Sequence, residues 1–159
     1  MASARQEFPI EQQLRKDIQE AQRNRDQSRL DTLRMTLGAI HNLEVARTDR
    51  KHPEYGQPLT EADTVRVLEQ EAKKRNQAIP LYKQGGRTDL AEKEQMELDI
   101  IQGYLQSSQL SDDEVRAIVS TLIAQQGKEF RKVMPLAAKA TKGQAEGARV
   151  QRIVREMTQ

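Results

Sequence analysis

The residues of this chain best placed to do chemistry are cations. Between Lys128 and Gln159 lie eight of them, Lys128, Arg131, Lys132, Lys139, Lys142, Arg149, Arg152 and Arg155, against three carboxylates, Glu129, Glu146 and Glu156. That segment carries +5 while the whole chain carries only +2, so the remainder is net negative. A positive field gathered at one end of a chain can hold phosphates without reading base sequence. The same residues also make an ordinary solvated helix face, and composition does not decide between the two. With three Tyr, two Phe and no Trp, the chain has too few aromatics for stacking on single-stranded bases. Any nucleic acid would be gripped by backbone and shape, as structured RNA is.

Other chemistries find less support. There is no cysteine, which excludes disulfides, thiolate nucleophiles and cysteine-ligated zinc or iron–sulfur clusters. His41 and His52 stand eleven residues apart with no H-E-x-x-H spacing, so no metal and no cofactor is expected. Gly85-Gly86 has neither the G-x-G-x-x-G nor the G-x-x-x-x-G-K-[ST] pattern of a phosphate loop. A helix stop explains it better. Glu92, Glu94, Glu97 and Asp99 cluster in sequence but alternate with Lys93 and Gln95, as a solvated helix face does. No acid/base pair with an electrophile partner is visible, and no catalytic residue is expected.

The elements that must position these groups are helical. Charged residues make up 31% and aromatics 3% of the chain, which suits amphipathic helices with thin apolar faces better than a sheet. The spacing predicts an all-α, multihelical fold of about seven helices. A first helix opens near Pro9 with Ile10, Leu14, Ile18 and Ala21 on one stripe. A second runs from about Gln27 to Ala46, where Gly38 leaves room for another helix to come close. Residues 47–59 hold two prolines and a glycine and read as a loop, the most mobile stretch of this half. Thr60 and Asp63 form a capping box for a third helix, which Pro80 should kink in its last turn.

Gly85 or Gly86 stops that helix and Thr88 or Asp89 caps the next. Arg75 and Glu94 each interrupt an apolar stripe, which predicts a partly buried ion pair between them. Arg87 and the carboxylates near it, Asp89 among them, are expected to lock the two helices rather than to react. The polar run Gln106 to Gln109 then divides the chain into an N-terminal helical subdomain, residues 1–106, and a small three-helix subdomain, residues 107–159. In the latter Ser111 and Glu114 make a second capping box, Gly127 ends a helix, and Pro135 bends or splits the next. Val150, Ile153, Val154 and Met157 mark the last helix.

No apolar run reaches the length of about 20 residues that a membrane span needs. The opening MASARQEF lacks the apolar centre of a signal peptide. The expectation at this point is a soluble, cytoplasmic protein.

The block Lys73-Lys74-Arg75, Tyr82, Gly85-Gly86-Arg87-Thr88-Asp89-Leu90-Ala91, Glu94, Glu97-Leu98 and Tyr104-Leu105 resembles the GatB/YqeY family. The likeness extends back to Leu33-Arg34-Met35 and Ile40, and forward to Lys132-Val133-Met134 and Lys142-Gly143. The resemblance implies an all-helical fold in two compact subdomains, like the tail of the B subunit of the tRNA-dependent amidotransferase. It implies a tRNA-binding or tRNA-metabolism accessory, with Lys132 and Lys142 matching the family pattern. The other reading it carries is an interaction module that docks on an aminoacyl-tRNA synthetase or an amidotransferase. A carbon–nitrogen ligase activity comes by family association only, and no residue here is assigned to it. Two departures stand out: Arg131 and Pro135 occupy positions where the family pattern has glycine, and Gln106 follows Leu105 where the family has proline.

Overall fold

The structure, a computed structural model, describes residue 5 and residues 7–107 and 109–159. Seven helices and no strand are found among the described residues: α1 (Pro9–Arg23), α2 (Gln27–Ala46), α3 (Glu61–Gln84), α4 (Thr88–Ser107), α5 (Asp112–Gln126), α6 (Phe130–Ala140) and α7 (Gly147–Thr158). Their ends are written in side-chain chemistry. Pro9 opens α1, and the Glu11 carboxylate turns back to accept the Phe8 amide at 2.9 Å. Asp26 caps α2 by accepting from the Arg29 amide. Reciprocal capping boxes, Thr60 with Asp63 and Ser111 with Glu114, start α3 and α5. At the far end of α3 the Arg87 amide reaches Tyr82 O and the Gly86 amide reaches Lys83 O. This Schellman closure places Gly86 at φ +71°, which only glycine adopts without strain.

The chain forms two compact units, residues 1–107 and 108–159. In the first, α3 and α4 pair as a hairpin and α1 and α2 as another. Leu14, Leu33, Ile40, Val65, Leu68 and Ile101 are its most deeply buried side chains. In the second, α5, α6 and α7 each touch the other two. Val115, Val119, Val133, Ala137, Val150, Ile153 and Val154 fill the space between them. Ser108, in the polar run read as the joint, lies outside the described residues.

Five sequence expectations need correction. Arg75 does not pair with Glu94. Its Nε donates to Glu97 at 3.0 Å, and Nη1 donates to the Glu71 carboxylate at 2.9 Å. Glu97 is one helical turn further along α4, and the hairpin register brings that turn opposite Arg75. Gly38 admits no helix: a Cβ there would meet nothing within 4 Å. Pro135 does not split α6, which runs unbroken through it. Thr88 is already helical, so it cannot be the cap of α4. Residues 47–59, expected to be loose, are organised around buried Arg47, which donates to Pro58 O at 3.0 Å and to Glu54 at 2.6 Å and meets Asp63 at 2.9 Å.

Candidate nucleic-acid interface

α6 is the element that arranges the basic residues. At about 100° per residue its buried side chains, Val133 and Ala137, share one side. Arg131, Lys132, Pro135 and Lys139 fall within an arc of about 100° on the opposite side, and all four are exposed. Arg131 and Lys139 stand ~12 Å apart along the axis. Exposed Lys128 precedes the helix and exposed Lys142 follows it. The solvent face of α6 is thus a row of cations closed by a cation at each end.

The eight basic residues do not act alike. Lys128, Arg131, Lys139 and Lys142 have no hydrogen-bond or ion-pair partner among the described residues. Lys132 meets Glu129 at 2.9 Å in a pair exposed on both sides, an arrangement worth little in water and readily exchanged for another anion. The three arginines of α7 are otherwise engaged. Arg152 donates to Asp112 at 3.1 Å and Arg149 lies 3.6 Å from the same carboxylate. Arg149 also donates to Leu110 O. Arg155 rests over the Phe130 ring, 5.7 Å from its centroid. These contacts join α7 to the start of α5 and to α6, so the α7 arginines hold the small unit together. Phe130, packed against the core and covered by Arg155, is not offered to a base.

Arg87 donates to Asp89 at 3.0 and 3.1 Å in a wholly exposed pair two residues long. Hydrogen bonding to that guanidinium holds the Asp89 carboxyl below its ordinary value. The pair braces the first turn of α4 and does not lock α3 to α4; buried Arg75 with Glu71 and Glu97 does that. Glu94 is half-buried and takes no part. His41 lies 3.7 Å from Glu44 on α2, whereas His52 accepts the Glu54 amide through Nδ1. No group of three or more His, Cys, Asp or Glu capable of holding a metal ion occurs among the described residues. No helix there is long and apolar enough to cross a membrane.

Two contacts escaped the sequence reading. Tyr104 on α4 donates its hydroxyl to Asp17 on α1 in a short hydrogen bond. Burial and that carboxylate both raise the phenol well above its ordinary value. Asp17 also lies 3.8 Å from Arg29 of α2. Arg47 is the other case, and its position next to a Pro- and Gly-containing loop was the available signal.

Comparison with known proteins accords with this architecture. The family model for YqeY-like proteins matches residues 11–158. Altered inheritance of mitochondria protein 41, mitochondrial, of Eremothecium gossypii is 25% identical over 123 residues, 77% of this chain and 63% of that protein. An uncharacterised protein of Schizosaccharomyces pombe is 32% identical over 93 residues, 58% of this chain and 68% of that protein. The Vanderwaltozyma polyspora protein named like the first is 32% identical over 94 residues, 59% of this chain and 47% of its own length. The chain thus spans less than two thirds of the first of these relatives. The expectation of a cytoplasmic location is corrected by the same finding, because two of the relatives are mitochondrial by name. The polar opening and the lack of cysteine that suggested cytoplasm fit any reducing, aqueous compartment. The chain belongs to the YqeY-like family.

Proposed function

We propose that this YqeY-like protein is a non-catalytic accessory that grips the sugar–phosphate backbone of structured RNA, tRNA foremost, through the solvent face of α6. One observation carries the reading. Arg131 and Lys139 share one exposed face of α6, Lys128 and Lys142 flank that helix in the chain, and none of the four has a partner among the described residues. Unpaired cations in a row release condensed counterions when they meet phosphates, which is the main source of sequence-independent affinity. Lys132 joins them by leaving Glu129. Arg149 and Arg152 are left out, because engaging a phosphate would cost them Asp112. The mitochondrial names of two relatives direct the choice of ligand toward mitochondrial as well as bulk tRNA.

The test is a fluorescence-anisotropy titration of the full chain with total tRNA at about 50 and about 200 mM salt. Five phosphate contacts give a slope of log affinity against log salt of about −3.5 to −4.5, and a loss of about 10²- to 10³-fold between the two conditions. Arg131→Glu with Lys139→Glu should abolish binding at the lower salt. Absence of binding by the unaltered chain there would overturn the reading.

A further inference from the structure

The first unit carries a second surface, unrelated to α6. Met35 of α2 and Met96 of α4 are 50% and 37% exposed and line one cleft of about 550 Å3 between those helices. A flexible thioether adapts to varied apolar partners. The volume lies in the range of sites that enclose several side chains.

Charge decides what kind of partner fits. Arg34 and Lys93 line the same cleft, one from each helix. Neither has a hydrogen-bond or ion-pair partner among the described residues. The cleft contains two carboxylates. Glu97 is buried and held by Arg75, so its charge is compensated from within. Asp31 accepts the Gln27 amide on the exposed side of α2. An entering carboxylate therefore meets two unsatisfied cations and one exposed anion. An entering cation would meet the reverse. We infer that the α2–α4 cleft docks an acidic amphipathic helical segment of another protein, its apolar side chains between Met35 and Met96 and its carboxylates on Arg34 and Lys93. This is the helix-in-groove mode, in which an apolar face supplies affinity and flanking charges set orientation. The inference does not depend on the RNA reading: the residues, the unit and the ligand all differ.

Methyl-labelled methionine makes the test local. The full chain is titrated with a blocked peptide of about 14 residues, built of Leu, Ala and Glu with Leu along one face, long enough to hold helical structure. A second peptide has every Glu replaced by Lys. The Met35 and Met96 methyl resonances should shift saturably with the Glu peptide, while Met134 and Met157, in the other unit, stay put. The Lys peptide should leave all four unmoved. Arg34→Glu with Lys93→Glu should weaken the Glu peptide on the order of tenfold or more, two exposed charge contacts at about 0.7 kcal/mol each. An unchanged circular dichroism spectrum and an unchanged thermal midpoint of the first unit report that this variant folds. If it does not, Arg34→Ala with Lys93→Ala replaces it, with a several-fold loss expected. No shift of Met35 and Met96 at about 1 mM Glu peptide overturns the inference, as does equal binding of both peptides. Shifts on simple concentration of the peptide-free chain would assign the cleft to a second copy. Shifts on adding tRNA would assign it to RNA. Either outcome overturns the inference too.

Discussion

Arg75 and Glu97 face each other across the α3–α4 interface at 3.0 Å, their side chains 6% and 9% exposed. Glu71, one turn back on α3, takes the other side of the same guanidinium at 2.9 Å. The arrangement is asymmetric, with one cation between two carboxylates. Arg75→Met leaves buried Glu97 without its counter-charge, while Glu71 keeps Lys74 at 2.7 Å, and should cost about 3–5 kcal/mol. Glu97→Gln keeps an acceptor and leaves Arg75 paired with Glu71, and should cost about 1 kcal/mol. Urea unfolding of the two variants measures the difference. Equal costs would mean that the pair is not the organising contact of this hairpin.

Acid should weaken the first unit through three carboxylates. Burial by itself would raise the Asp63 carboxyl, yet the Arg47 guanidinium and the Thr60 amide and hydroxyl outweigh it and hold the carboxyl below 3.8. Burial likewise opposes, and hydrogen bonds from Arg5 and the Phe8 amide outweigh it, at Glu11, held below 4.5. At Glu71 burial is outweighed by Lys74 and Arg75, and the group again lies below 4.5. A carboxyl depressed in the folded state stabilises it above the unfolded value and loses that contribution as pH falls through the folded one. Stability should therefore hold above pH 4.5 and fall progressively below it. Asp63→Asn should lower stability at neutral pH by about 1–3 kcal/mol and flatten the acid limb. Denaturant midpoints across the acid range check both.

Glycine substitutions should split by sign. At Gly38 and Gly103, both inside helices, an added Cβ meets nothing within 4 Å. Alanine at either should raise stability by about 0.5–1 kcal/mol. At Gly86, φ +71° makes alanine unfavourable by about 1 kcal/mol even though the space is open. Thermal midpoints of the three single variants give the signs directly.

Asp112 is the counter-ion of two α7 arginines, with Arg152 at 3.1 Å and Arg149 at 3.6 Å. Asp112→Asn should cost about 0.5–1 kcal/mol in the second unit. It should also loosen Arg152 and Arg149, which keep Glu156 and the Leu110 carbonyl as partners, so tRNA affinity at low salt rises and its salt slope steepens by at most about 1. Anisotropy at two salt concentrations, with a melt of the same sample, reads both changes. Lower affinity in a folded Asp112→Asn protein would count against sequence-independent phosphate binding.

Helix positions were legible because local chemistry sets them. Pro9, the Thr60–Asp63 and Ser111–Glu114 boxes, and the Gly85-Gly86 and Gly127 stops all act within a few residues. What failed depends on register between elements. Glu94 and Glu97 are three residues, about one turn, apart, and only the packed hairpin selects between them. Arg47 was obscured by the polar loop that follows it, whose partners Glu54 and Asp63 are brought back by folding. The basic set was visible as a count of charges. Which cations remain unpaired is decided by Asp112, distant in sequence from Arg149 and Arg152, and no composition reveals that.

The two bodies differ in what holds them. The first buries Leu14, Leu33, Ile40, Leu68 and Ile101 completely or nearly so, whereas the second relies on five valines in helices α5 to α7, one alanine and Ile153. At roughly 50 residues the second is near the size at which one core barely suffices, and smaller side chains remove less apolar area from water. The cations of α6 therefore ride on the more easily melted part of the chain. On warming, phosphate binding should disappear before most of the helix signal does, and RNA that binds should push that early transition upward with the logarithm of its concentration. The melting temperature of the small unit would then report how much RNA, if RNA binds, is bound to it.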